Sequence, residues 1–244
     1  MPAWTTSLPF DATSRPTPVF QSPPAVLALA GLLVFIHGLL QALGPDWQIY
    51  SLYALAFIPA RFTDASYAMP AGAAYWSFLS HAFLHVSFLH VAMNCLWLVI
   101  FGTVVARYLG ALRFLLLSAI AAVAGAAAML TTHWGDAVIV IGASGAVSGM
   151  LGGTMPVMYG RRLGPDPVGG GNVLALSPGE FLRNRNALLF TLIWLAVTLA
   201  TGGVGVSDNS FNGDSSIAWE AHIGGFFAGI LAFYGLAPQR AVRR

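Results

Sequence analysis

Two residues of this 244-residue chain could perform chemistry from unusual positions, Ser144 and His222. Each lies where an apolar run begins, Ser144 in IGASGAVSGMLGG and His222 in WEAHIGGFFAGILAF. A serine hydroxyl is a poor nucleophile until an imidazole takes its proton, so the two together would form a catalytic dyad. A serine at a helix N-terminus also faces backbone N–H groups that stabilise an oxyanion. Taken singly, GASG could be a packing seam and His222 a structural histidine.

Small residues recur every fourth position around both sites, which lets two helices approach closely. Close approach of the two runs would bring the serine and the histidine within hydrogen-bond reach. The dyad is therefore predicted from the pair of runs, because neither run predicts it alone. The stripes are Ser144, Ser148, Gly152 and Gly145, Gly149, Gly153 in the first run, and Ala221, Gly225, Gly229 in the second.

A second pair, His90 and Asn94 in FLHVAMNCL, is four residues apart and so shares one helix face. An amide and an imidazole aimed at one point are suitable oxyanion donors, although the pair could equally join two helices. His81 and His85 have the same spacing, but Ala82 stands where a metalloprotease motif would carry Glu. We predict no metal and no cofactor. No acid completes a triad, because Glu220 lies about 200° around the helix from His222.

The composition predicts that these residues are positioned by membrane-spanning helices. Hydrophobic residues make up 57% of the chain and charged residues 8%, whereas soluble domains carry about 25% charged residues. The chain contains no Lys, which excludes a Ser-Lys dyad and Schiff-base chemistry. The single cysteine, Cys95, lies in an apolar run and is interpreted as packing.

Six apolar runs approach the roughly 20 residues that cross a bilayer, and predict an all-α polytopic membrane protein with a six-helix bundle. Residues 1–22 are predicted to be a disordered cytoplasmic tail, 23–237 the six-span domain, and 238–244 a basic cytoplasmic C-terminus. Between the first two spans, short amphipathic pieces are expected in the interface. The six runs are 24–43, 86–106, 110–131, 144–160, 187–203 and 217–236.

The arginines predict the orientation, because cytoplasmic loops accumulate positive charge. Ten of the eleven arginines fall on the side of the two termini, and only Arg61 falls on the other side. Both termini are therefore expected in the cytoplasm. His90, Asn94, Ser144 and His222 then all lie within about 10 Å of the outer ends of their spans. A transporter fits less well, since broken helices in paired halves and midplane charges are not evident.

Together these motifs resemble the rhomboid family of intramembrane serine proteases. The resemblance covers residues 44 to 236 and depends on HAFLHVSFLHVAMN, GASG and AHIGGFFAG in that order. It implies a six-helix bundle with a cavity open to the outside. Carried over by motif, Ser144 is similar to the nucleophile, His222 to its base, and His90 and Asn94 to the oxyanion donors. His81, His85, Gly142, Gly145 and Gly225 correspond to structural positions.

The resemblance implies an endopeptidase that cleaves single-pass transmembrane proteins in the lipid bilayer, near their outer end, with no role for nucleic acid. We expect the bacterial inner membrane as its location. The alternative is a catalytically silent rhomboid-like protein that binds transmembrane clients. Two departures concern Ser148, where many members carry an aromatic residue that stacks on the catalytic histidine, and Arg61, which lacks the family's preceding Trp.

Overall fold

Helices dominate the computed structural model, which describes residues 22–68, 70–164, 172–203 and 218–238. Three 3-10 helices, Pro59–Phe62, Ala65–Tyr67 and His81–Phe83, lie between the longer elements. In chain order those elements are α1 (Pro24–Leu43), α2 (Pro45–Leu55), α3 (Ala73–Ser80), α4 (Phe88–Leu109), α5 (Ala111–Thr132), α6 (Ser144–Met158), β1 (Arg161–Arg162), β2 (Val173–Leu174), α7 (Pro178–Phe181), α8 (Arg185–Gly203) and α9 (Trp219–Leu236).

Each of the six predicted apolar runs overlaps a helix: α1, α4, α5, α6, α8 and α9. Three of them, α1, α4 and α5, are long and apolar enough to cross a membrane, and Arg185–Thr201 of α8 forms a shorter apolar helix. The protein is therefore a mostly helical membrane protein, while the count of six spans stays a prediction. The predicted tail and basic C-terminus lie outside the described residues, apart from Ser22 and Pro238.

Helix α6 lies at the centre of the fold, and every residue from 145 to 157 is buried. It packs against α9, α5 and α4, while α1 covers the outer side of α4 and α8 covers α9. The core around α6 includes Met150, Leu98 of α4 and Phe114 of α5, all nearly inaccessible. A helix surrounded in this way can hold a polar group at its first residue away from lipid.

The segment between α1 and α4 folds into short helices that carry the loop preceding α6. Backbone hydrogen bonds join Phe57 and Val140 in both directions, at 3.0 and 2.9 Å, and the Ala60 amide donates to the Asp136 carbonyl at 2.9 Å. In this segment Trp76 Nε1 donates to the Ala54 carbonyl at 2.7 Å. The loop that leads into α6 is thus fixed by backbone contacts with a part of the chain about 80 residues earlier.

Arg61, for which the sequence suggested no role, is buried in this segment, with 6% of its surface exposed. Its guanidinium donates to the carbonyls of Ala56 at 2.7 Å, Tyr67 at 3.3 Å and Tyr53. Burial lowers the Arg61 pKa from its ordinary value. These bonds close the segment after α2, which gives Arg61 a structural role.

A small antiparallel hairpin follows α6. Arg161 pairs with Leu174 and Arg162 with Val173. Helix α7 then begins with a capping box in which the Ser177 and Glu180 side chains each accept from the other's backbone N–H. The hairpin lies at the end of α6 opposite Ser144.

Candidate active site

Ser144 is the first residue of α6, and two histidines of the earlier segment hold the loop before it. The Gly142 amide donates to the His81 carbonyl at 3.0 Å, and the Ala143 amide donates to His85 Nε2 at 3.4 Å. Burial, with smaller contributions from the charges of His90 and His37, lowers the pKa of His85 to about 3. His85 is therefore neutral at physiological pH, as an accepting Nε2 requires.

His90 and Ser144 meet at Gly142, whose φ of +116° favours glycine. A Cβ on Gly142 would lie 2.9 Å from both Cε1 and Nε2 of His90, and 4.0 Å from Ser144 Oγ. The His90 ring also lies 5.0 Å, centre to centre, from the His85 ring, at 74°. The missing side chain of Gly142 thus leaves space for an imidazole beside the serine.

Helix α4 positions His90 in its first turn and Asn94 one turn later. The Ser87 hydroxyl caps this helix by accepting from the His90 amide at 3.1 Å. Asn94 is buried, and its Nδ2 donates to the His90 carbonyl at 3.0 Å. An amide nitrogen carries two hydrogens, so this bond leaves Asn94 a second N–H.

Helices α6 and α9 touch along the small-residue stripes, so the close approach predicted from their spacing is observed. A Cβ on Gly225 would lie 2.1 Å from the Gly145 carbonyl oxygen, and one on Gly229 would lie 2.0 Å from that of Gly149. No Cβ fits at such distances. We call these four glycines the α6–α9 seam.

His222 lies one turn before Gly225, at the end of the seam where Ser144 lies. A Cβ on Gly145 would lie 3.4 Å from the Ala221 carbonyl oxygen. The backbone of Gly145 therefore lies close to that of Ala221, and Ser144 and His222 are the chain neighbours of these two residues. The four predicted side chains thus come from three helices whose N-terminal ends converge.

A cluster that the sequence did not predict lies near the beginning of α9. His133, just after α5, bonds to Asp136 Oδ2 through Nδ1 and to Glu220 Oε1 through Nε2, both at 3.0 Å. Glu220 is therefore engaged with His133. His133 and Glu220 are 87 positions apart, so no local sequence pattern connects them. The one signal that could have drawn attention to them is the scarcity of charged residues in this chain.

The part of the chain that the structure describes contains no group of three or more His, Cys, Asp or Glu side chains able to hold a metal ion. The His81 Nδ1 lies 2.9 Å from the Ser77 carbonyl, a contact within its own turn. Burial lowers the pKa of His81, which favours its neutral form. The predicted site residues offer a hydroxyl, imidazoles and an amide.

Comparison with known proteins matches a family model described as "Rhomboid domain" to residues 72–239, more than half of the chain. Rhomboid protease GlpG of Serratia proteamaculans (strain 568) is 26% identical over 224 residues, covering 89% of this chain and 64% of that protein. RHOMBOID-like protein 1 of Arabidopsis thaliana is 29% identical over 157 residues, covering 64% of this chain and 33% of that protein. The chain thus spans less than two thirds of the length of either relative.

Proposed function

This chain belongs to the Rhomboid family, and on that premise we propose that it is an intramembrane serine endopeptidase that uses a Ser144–His222 dyad. One observation carries the proposal: the contact of Gly145 with the Ala221 carbonyl, which brings the two helix starts together. The relative named as a protease, GlpG of Serratia proteamaculans, is consistent with this activity.

In the proposed reaction, Ser144 Oγ attacks the scissile carbonyl while His222 takes the hydroxyl proton. The negative charge that develops on the carbonyl oxygen is stabilised by the Asn94 amide, the His90 imidazole and the Ser144 backbone N–H. His222 then returns the proton to the leaving amine, and water hydrolyses the acyl-enzyme. The contact of His90 with Gly142 supports its assignment, because that glycine lies two residues before the nucleophile.

The proposed substrates are single-pass transmembrane segments cut near their outer end, in a protein of the bacterial inner membrane with cytoplasmic termini. We propose that they enter laterally between α4 and α8. In support, α8 packs on α9, where Trp194 stacks on Phe226 at 4.2 Å, and among the described residues no extensive contact joins α8 to α4. The apolar side chain of Trp97 in α4 is 42% exposed.

Cleavage of a labelled transmembrane peptide by purified protein, with mass-spectrometric mapping of the cut, tests the proposal. Ser144→Ala is expected to abolish cleavage, since removing the nucleophile leaves no covalent route. Ser118→Ala is the matched control, because Ser118 is a buried serine of α5 that donates to the Phe114 carbonyl at 2.7 Å. It is expected to cleave at the parental rate.

Two outcomes would contradict the proposal. Cleavage by Ser144→Ala at the parental rate would exclude Ser144 as the nucleophile. If the folded parental protein bound the peptide without cutting it, and a fluorophosphonate probe failed to label Ser144, the chain would instead be the silent client-binding protein.

A further inference from the structure

The His133 cluster lies at the outer ends of α5 and α9 and has no part in the proposed reaction. His133 uses both ring nitrogens, each 3.0 Å from a carboxylate oxygen, one on Asp136 and one on Glu220. A neutral imidazole has one N–H, whereas an imidazolium has two. Only protonated His133 can therefore donate to both carboxylates at once.

The two carboxylates differ in their environment. The Asp136 side chain is 57% exposed, whereas that of Glu220 is 9% exposed. A buried carboxylate without a partner is unfavourable, so Glu220 depends on His133 more than Asp136 does. The His133 side chain is 30% exposed, so protons can reach it from the external solution.

The first turn of α9 packs on α5 and α6 through its backbone, and Glu220 adds a polar side-chain bond to that turn. Residue 218, which precedes it, makes no side-chain capping bond. The amides of Ala221 and His222 donate to the Ala218 carbonyl at 3.1 and 3.3 Å. Glu220 is thus the side chain that ties this turn to α5.

The backbones of α5 and α9 are also in close contact, although less close than those of α6 and α9. A Cβ on Gly125 would lie 2.8 Å from the Ala221 carbonyl oxygen, and one on Gly224 would lie 2.8 Å from that of Ala124. Helix α9 lies between α5 and α6, and His222 belongs to its first turn. A small rotation of that turn would therefore move the His222 imidazole. Misplacement of a reacting group by about 1 Å can cost about 100-fold in rate.

We propose that Glu220, held by His133, is a positioning residue that fixes the first turn of α9 and thereby orients His222, most firmly when His133 is protonated. The inference rests on the proposed function, since it gives His222 the role of base. Neither residue touches the reacting atoms, and both act through the backbone of α9.

The sign of the pH effect follows from His133. Burial by itself lowers its pKa, but hydrogen bonds to Glu220 and Asp136 and the charges of both outweigh burial, so its pKa is raised above the ordinary 6.5. The stabilisation by the imidazolium is therefore complete below pH 6.5 and is lost as the pH rises through the raised pKa.

Other charged and titratable groups on the surrounding described elements are less suited to cause a loss of activity as the pH rises. The Arg61 guanidinium already donates to three backbone carbonyls. The pKa of Asp64 is lowered by the hydrogen bond that it accepts from the Ser66 amide. The pKa of His81 is lowered by burial, and that of His85 to about 3. His222 must itself be neutral to act as base, so its titration causes activity to rise with pH, opposite to the effect of His133.

The experiment measures kcat and KM for a transmembrane peptide from pH 5.5 to 9, with the rate at which a fluorophosphonate labels Ser144. In Glu220→Gln, kcat and the labelling rate are expected to fall about tenfold or more with KM nearly unchanged, because orientation and not binding is lost. His133→Gln should behave similarly. His133→Arg keeps a cation that can donate to both carboxylates at every pH. Compared with His133→Gln, it should restore kcat and remove the decline of kcat at alkaline pH.

Asp46→Asn is the matched control, because Asp46 is an exposed carboxylate in the first turn of α2, on the same predicted side of the membrane. It should leave kcat and the pH profile unchanged. If Glu220→Gln kept the parental kcat and pH profile, the inference would be overturned while the proposed function would stand. A lower melting temperature of this variant with unchanged kcat would have the same consequence. If the parental protein neither cleaved nor was labelled, the proposed function itself would fail.

Discussion

At the scale of single residues, Gly142 combines a backbone conformation that favours glycine with a close contact to His90. We predict that Gly142→Ala slows cleavage and the labelling of Ser144 by about tenfold or more, because the added Cβ would lie 2.9 Å from the His90 ring and displace it. The substitution also strains the backbone at φ +116°, which lowers stability by about 1–2 kcal/mol.

Gly110→Ala separates these two effects. Gly110 has a φ of +86°, but a Cβ there would meet nothing within 4 Å. It should therefore lower the melting temperature without changing kcat in the protein that remains folded. Equal kcat values for the two variants would show that the contact with His90 does not matter for the reaction.

The candidate site residues were predicted from their types and their spacing, and the structure shows where they lie. Ser144 does begin a helix, and the glycines of both runs do face each other, because period-four patterns report directly on helix faces. The roles of Arg61 and of the His133–Glu220 pair could not be predicted. Their partners are backbone carbonyls or distant side chains, and such contacts exist only once the chain is folded.

At the scale of elements, the α6–α9 seam makes the clearest prediction. Gly225→Ala is expected to lower the free energy of unfolding by about 1–3 kcal/mol, because a Cβ 2.1 Å from the Gly145 carbonyl oxygen must push the helices apart. It should also reduce kcat, since Ser144 and His222 lie at the end of the same seam. Thermal unfolding in detergent and peptide cleavage measure the two effects.

Gly235→Ala is the control in the same helix, since a Cβ there would meet nothing within 4 Å. Alanine is the better helix former by about 1 kcal/mol, so this variant should be as stable as the parent or slightly more stable. If both variants behaved alike, close backbone approach would not be what holds α9 in place.

The helix boundaries were predicted to within a few residues, and the errors have physical causes. The first run and α1 coincide at 24–43, where Gly44 follows with a φ of 90°. The second run was expected to end at 106, whereas α4 continues through Arg107 to Leu109 and stops before Gly110. The charge of Arg107 ends the apolar run but does not end the helix. Helix α4 ends instead before Gly110, because glycine readily adopts the positive φ found there.

At the scale of the whole molecule, the arginine distribution predicts which face is external, and cysteine labelling tests it. In a Cys95→Ala background, a membrane-impermeant maleimide added to intact cells should label Asp46→Cys but not Gly179→Cys until the membrane is permeabilised. Both positions are exposed, and they lie in α2 and α7, on opposite predicted sides. The reverse labelling pattern would invert the orientation and place the site near the cytoplasm.

The position of α9 between α5 and α6 also bears on how the protein is made. Both neighbours precede α9 in the chain, so they leave the ribosome and reach the membrane first. Until α9 follows, Ser144 lacks the base that the proposal assigns to it, and the faces of both neighbours that α9 covers have no partner. On the proposed mechanism, an incomplete chain therefore carries Ser144 but cannot cut, and proteolytic activity begins only after a late step of membrane insertion.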